Sequence, residues 1–216
     1  IEHLLNVDPE PQLLASILAK KLSVGSKYVL IDIPYGFGAK VSFEEARELK
    51  KKFLQVGEKI KLKIRVILTD GSQPIGNGIG PVLEILDVLK ILNRKDPPKD
   101  LEKKSLYLAG QILEMTGKAK KEKGTQMAKE ILDSKKALDK FNEIIEAQGK
   151  KENALVPAKY KHDIKSEKSA KVKRINNKEI SYLAKILGSP ISSSSGIYLY
   201  KHVGDKTQRG ETLLTL

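Results

Sequence analysis

The chain has 216 residues, no cysteine, no tryptophan and two methionines, and its 40 lysines and arginines against 27 aspartates and glutamates give a formal charge of +13 at pH 7. Without cysteine there is neither a disulfide framework nor thiol chemistry; the scattered His3, His162 and His202 make no metal-ligand cluster, and no apolar run approaches the roughly 20 residues that cross a bilayer. The basic excess is lysine interleaved with glutamate, as in Glu44, Glu45 and Glu48 beside Lys50, Lys51 and Lys52, and aromatic residues make up only 5%, so stacking platforms are scarce and nucleic acid is not the expected partner.

Lysine and glutamate enrichment also fits a protein from a hot environment. With no membrane span and no signal-peptide pattern at Ile1, the expectation is a soluble, cytoplasmic protein.

Asp8 before Pro9 predicts a helix N-terminus, since aspartate caps well and proline loses nothing at the first helical position. Leu13, Leu14, Ile17, Leu18 and Leu22 follow helical spacing towards a stop at Gly25, and Ser16 and Lys20, four apart, share one face. The apolar run 28–33 reads as a buried parallel strand that Pro34 ends. The loop 35–40 then sits at a strand's carboxyl end, where open α/β sheets bind their ligands, so Lys40 is expected to point into a crevice.

Ser42 and Glu45 form a capping box for a helix with Phe43, Ala46, Leu49, Phe53, Val56 and Ile60 at helical spacing. A second strand over 64–68 is broken by Thr69-Asp70-Gly71, and the helix–strand alternation predicts parallel pairing. Gly71, Gly76, Gly78 and Gly80 make the loop 70–81 a candidate phosphate cradle, although it is neither a Walker sequence nor a dinucleotide fingerprint. Helices are predicted over 82–92, 101–115, 125–134 and 137–147, with Glu84, Asp87 and Glu114 as solvated charges. Beyond a polar boundary at 149–152, a strand over 170–175, a helix over 178–187 and a strand over 196–202 follow. The ending 203–213 resembles the hairpin of biotinyl and lipoyl barrel-sandwich domains, without the modified-lysine motif of those carriers.

Several blocks in order carry a resemblance: Asp8, then Ser16 and Lys20 within SILAKK, the IDIP strand, the G-x-G-A-K loop, LTDGSQPIGNGIGP at 68–81, and ALDKFNEIIEAQGK at 137–150. Together they resemble the thymidine phosphorylase superfamily of nucleoside phosphorylases, and within it the archaeal AMP phosphorylase branch. The resemblance implies an α/β fold, with a partial parallel sheet and flanking helices over 1–150, followed by a smaller α+β, barrel-sandwich-like domain over 151–216. It implies a pentosyltransferase of nucleotide salvage and degradation that converts AMP and orthophosphate to adenine and ribose 1,5-bisphosphate.

In that pattern Asp8 is the proton donor to the departing base, which needs a carboxyl whose pKa is raised, and Ser16 and Lys40 bind the nucleotide. Lys20 matches a base-binding lysine of the pyrimidine-specific branch. No cofactor is implied; AMP or another nucleoside 5′-monophosphate and phosphate are the partners, and a homo-oligomer, dimer or larger, is expected. Three departures separate the chain from the pyrimidine branch: Ile1 stands where that branch has a carbonyl-gripping arginine, Lys40 where it tends to have an aromatic, and Pro34 where it has a basic residue. Family members are longer, and their main phosphate-binding segment has no match here, so the chain reads as a C-terminal fragment, inactive alone. The rivals are a pyrimidine nucleoside phosphorylase and, from another class, a basic assembly or nucleic-acid-binding module.

Overall fold

A computed structural model describes residues 10–151 and 155–216. Its first layer alternates as expected: α1 (Glu10–Ser23), β1 (Tyr28–Tyr35), α2 (Phe43–Lys59) and β2 (Lys63–Asp70). β1 and β2 pair in parallel, from Tyr28 opposite Lys63 to Tyr35 opposite Asp70. Leu14 and Leu18 of α1, Val29, Ile31 and Ile33 of β1, and Ala46, Leu49 and Phe53 of α2 make one core with Val66 of β2. The spacing that predicted α1 describes its buried stripe as far as Leu18, whereas Leu22, in the last turn, is exposed.

The capping box is formed: Ser42 Oγ accepts from the Glu45 amide at 3.2 Å, and the Glu45 carboxylate accepts from the Ser42 amide at 2.7 Å. The Ser42 amide, followed by its hydroxyl, holds the Glu45 carboxyl below its ordinary value. Both strands outlast the sequence expectation. β1 continues through Pro34 to Tyr35, and β2 through Thr69 to Asp70. Among the described residues this sheet has two strands, so each has a side without a neighbouring strand there, and a residue lacking an N–H is tolerated at such an edge.

Four helices follow: α3 (Pro81–Asn93), α4 (Lys99–Met115), α5 (Gly124–Asp133) and α6 (Lys136–Ala147). α4 and α5 touch backbone to backbone, because a Cβ on Gly110 would stand 2.4 Å from the Thr125 amide nitrogen and one on Gly124 only 2.1 Å from the Gly110 carbonyl. α4 also reaches the parallel sheet: Lys104 Nζ lies 2.8 Å from Asp32 Oδ2, and Arg65 donates to Gln111 Oε1 at 2.8 Å.

The remainder contains β4 (Asp163–Lys165), β5 (Ala170–Lys171), α7 (Asn177–Ile186), β6 (Ile197–Leu199), β7 (Lys206–Thr207) and β8 (Thr212–Thr215). A two-residue strand between β2 and α3, β3 (Gly78–Ile79), joins them in an antiparallel sheet of order β3-β6-β8-β4, while β5 pairs with β7. Among the described residues the strands do not close into a barrel. The terminal segment differs from the expected hairpin: β7 pairs with β5 and β8 with β6 and β4. Its partners lie far away in sequence, where hairpin spacing carries no information. Ala184 of α7 covers Ile197 and Leu199 in a second small core. Among the described residues no helix is long and apolar enough to cross a membrane.

Candidate active site

Two loops leave the carboxyl ends of β1 and β2 side by side. In the first, Gly36, at φ 120°, and Gly38, at φ 73°, adopt backbone that glycine alone enters freely, and the turn closes on itself as Gly36 N donates to Val41 O at 3.2 Å and Ala39 N to Gly36 O at 3.1 Å. Lys40 follows, exposed, on the way into α2. Just inside the strands Asp32 is half-buried, accepting from Thr69 Oγ1 at 2.7 Å and paired with Lys104. Sequence reading passed over Asp32, although a lone acid within Ile-Asp-Ile is a signal of a buried polar contact.

The second loop is not an anion cradle. Its amides are taken up by the protein's own carboxylates: Gly76 N donates to Asp100 Oδ2 at 3.0 Å, Asn77 N and Gly78 N both donate to Asp87 Oδ2 at 2.7 Å, and Gly80 N donates to Glu84 Oε1 at 3.0 Å. Negative charge already sits where a phosphate would go. Asp87 and Glu114 are likewise not solvated charges. Asp87 is 1% exposed, and Glu114 accepts from the Gly124 amide at 3.0 Å with its side chain 11% exposed. Asp87 stands four residues before the buried Ile91, on the inner face of α3, and burial of a carboxylate there is compensated by two backbone donors.

Around Asp87 a polar chain crosses to the C-terminal sheet. Lys90 Nζ, 3.6 Å from Asp87 Oδ1, donates to Tyr198 Oη at 3.0 Å; Asn77 Nδ2 donates to the same hydroxyl at 3.2 Å; and Asn77 Oδ1 meets His202 Nε2 at 3.0 Å. Because the Asn77 amide donates to Tyr198, its oxygen accepts, which assigns the proton to His202 Nε2. Burial works against the Lys90 ammonium, but the Tyr198 hydroxyl and Asp87 outweigh it and hold its pKa above the ordinary value.

Of the residues singled out in the sequence, Asp8 lies outside the described residues. Ser16 and Lys20 are exposed, on the side of α1 away from its buried Leu14 and Leu18. Lys40 stands on a different element. A hollow of about 380 Å³ next to the first loop is lined by Gly38, Asn177, Lys178, Ser181, Tyr182 and Lys185, and not by Lys40 or Ser16 themselves. A larger one, about 1010 Å³, lies between α3 and the C-terminal sheet, with Lys90, Tyr198 and Tyr200 on its wall. Neither Ser16 nor Lys40 borders that cavity, so size alone does not mark it as the reaction centre. Among the described residues no group of three or more His, Cys, Asp or Glu could hold a metal ion.

No protein-family model matches the chain. Individual proteins do. An AMP phosphorylase of Methanococcus aeolicus is 43% identical over 221 aligned residues, covering 100% of this chain and 44% of its own length. An AMP phosphorylase of Methanocaldococcus jannaschii shows the same identity and coverage, and a Legionella pneumophila protein named "Putative thymidine phosphorylase" is 43% identical over 218 residues, 100% of the chain and 42% of its own length. Over its whole length the chain is thus similar to proteins named AMP phosphorylase and putative thymidine phosphorylase. Its α/β layer and C-terminal sheet give the α/β fold expected from that resemblance. The chain spans less than half the length of these relatives.

Proposed function

We propose that this chain forms the nucleotide side of a phosphorylase that cleaves AMP with orthophosphate. A phosphate oxygen attacks C1′ as the C1′–N bond breaks, giving ribose 1,5-bisphosphate, and the electron pair that leaves with adenine takes a proton from Asp8. Ser16 and Lys40 bind the nucleotide, with the Lys40 ammonium facing its anionic part. The observation that carries this reading is the 43% identity to AMP phosphorylases across the whole chain. Support comes from the position of Lys40, on a glycine-bearing loop at the carboxyl end of a parallel strand. Lysine at that position, with Ile1 in place of an arginine, favours a purine nucleotide over a pyrimidine nucleoside.

The amides of Gly76, Asn77, Gly78 and Gly80 are already held by the protein's own carboxylates, so this chain alone is expected to bind AMP but release little adenine. Calorimetry with AMP, adenosine, uridine and thymidine tests the binding. AMP should bind best, with adenosine weakened by loss of the phosphate, and Lys40→Ala should weaken AMP far more than adenosine. Thymidine binding tighter than AMP would favour the pyrimidine reading. In a phosphorolytically active protein containing this sequence, Asp8→Asn should depress kcat much more than nucleotide affinity; an unchanged kcat would remove Asp8 from the acid role.

A further inference from the structure

We infer that Asn177, the first residue of α7, is a positioning residue for the nucleotide: it ties the loop after β1 to the loop after β2 and so fixes where the Lys40 ammonium stands. The inference rests on the reading of Lys40 as a nucleotide ligand. Asn177 Nδ2 donates to the Gly71 carbonyl at 2.8 Å across 106 residues of sequence. Gly71 in turn is pressed onto the first loop. Its amide donates to Tyr35 O at 2.8 Å, and a Cβ there would come within 2.8 Å of Pro34 Cβ and 3.2 Å of Ala39 Cβ.

Asn177 also meets the first loop directly. A Cβ on Gly38 would lie 3.5 Å from the Asn177 amide nitrogen and 3.6 Å from its Cβ. Nearby, the Arg174 guanidinium stacks 4.4 Å from the Phe37 ring centre. Ala39, packed against Gly71, and Gly38, alongside Asn177, immediately precede Lys40. A shift in either is passed to it through one or two peptide units.

The side chain is rooted on a fixed element. Asn176 caps α7 by accepting from the amides of Lys178 at 3.1 Å and Glu179 at 3.5 Å, so Asn177 starts from a defined helical backbone rather than from a loop. Its Oδ1 is buried without a hydrogen-bond partner among the described residues. An unsatisfied buried acceptor costs stability, and local costs of this kind concentrate where a side chain is kept for its position.

The test uses the 216-residue chain and Asn177→Asp, which keeps the shape and suits the first turn of a helix but turns an acceptor towards the Gly71 carbonyl. AMP dissociation constants should rise roughly fivefold, the effect of about one hydrogen bond, with the secondary-structure spectrum unchanged. In a Lys40→Ala background the same substitution should add nothing, since its effect acts through Lys40. Amides of Gly36 and Ala39, whose bonds close the first loop, should exchange with solvent roughly tenfold faster in Asn177→Asp. Unchanged AMP affinity, or an equal fold-change with and without Lys40, would overturn the proposal. If the wild-type chain bound no AMP, the nucleotide reading would fall, and exchange at Gly36 and Ala39 would still decide whether Asn177 clamps the loop.

Discussion

The loops after β1 and β2 both bear glycines and both sit at strand carboxyl ends, yet they use those glycines differently. In the first, positive φ at Gly36 and Gly38 lets the chain fold back on itself, and nothing lies nearer than 3.5 Å to where a Cβ would be. In the second, Gly78 and Gly80 are hemmed in by backbone, with a prospective Cβ 2.4 Å from Leu83 O and 2.5 Å from Ser195 O, and the amides are bonded to carboxylates. Glycine content therefore does not identify an anion loop; the direction of its N–H groups does. The second loop is scaffold, and the first retains an exposed lysine.

The largest effect that would separate them is expected at Asp87. Asp87→Ala strands the amides of Asn77 and Gly78 and leaves a buried space, for a loss of about 3 kcal/mol in urea denaturation; a loss under about 1 kcal/mol would mean the second loop is not held this way. Next comes a matched pair. Gly78→Ala should cost about 2–3 kcal/mol because backbone would have to move, whereas Gly38→Ala should cost about 1–2 kcal/mol through its left-handed conformation alone. Equal costs would erase the distinction between a packed and an open glycine.

A smaller effect belongs to the end of the first loop, where Ser42→Ala removes the cap of α2 and should cost about 1 kcal/mol. The smallest is a pH effect. The Glu45 carboxyl lies below its ordinary value of 4.5 because of its bonds to Ser42, so its contribution is present above that value and lost as pH falls through the lowered one. Acid melts should accordingly show a shallower decline in Ser42→Ala than in wild type.

The helices were legible because their signals are local. The S-x-x-E box, the Leu14 and Leu18 stripe and the glycines at helix ends each lie within a few residues of what they determine. The polar contacts were not, because Asp87 is defined by amides nine and ten residues upstream and Asn177 by a carbonyl 106 away. Asp87 could have been caught by its spacing of four from Ile91 on the apolar face of its helix. β3, β7 and β8 have no such trace: strands of two to four residues are too short for alternation to register, and only their distant partners make them strands. At the site, Lys40 was placed on its loop by the strand that precedes it, while the clamp on that loop comes from the far end of the sequence.

The pairing of Gly78 with Tyr198 and Ile79 with Ile197 bears on how the molecule can be dissected. Deleting everything beyond residue 150 would take away β6, the Tyr198 hydroxyl and the His202 ring together, baring the rim of β3 and half of the polar chain around Lys90. Such a truncation should be sticky and easily digested at 71–80, whatever the integrity of its parallel strands. Complementation by a separately expressed 151–216 peptide would restore protease resistance at that loop first.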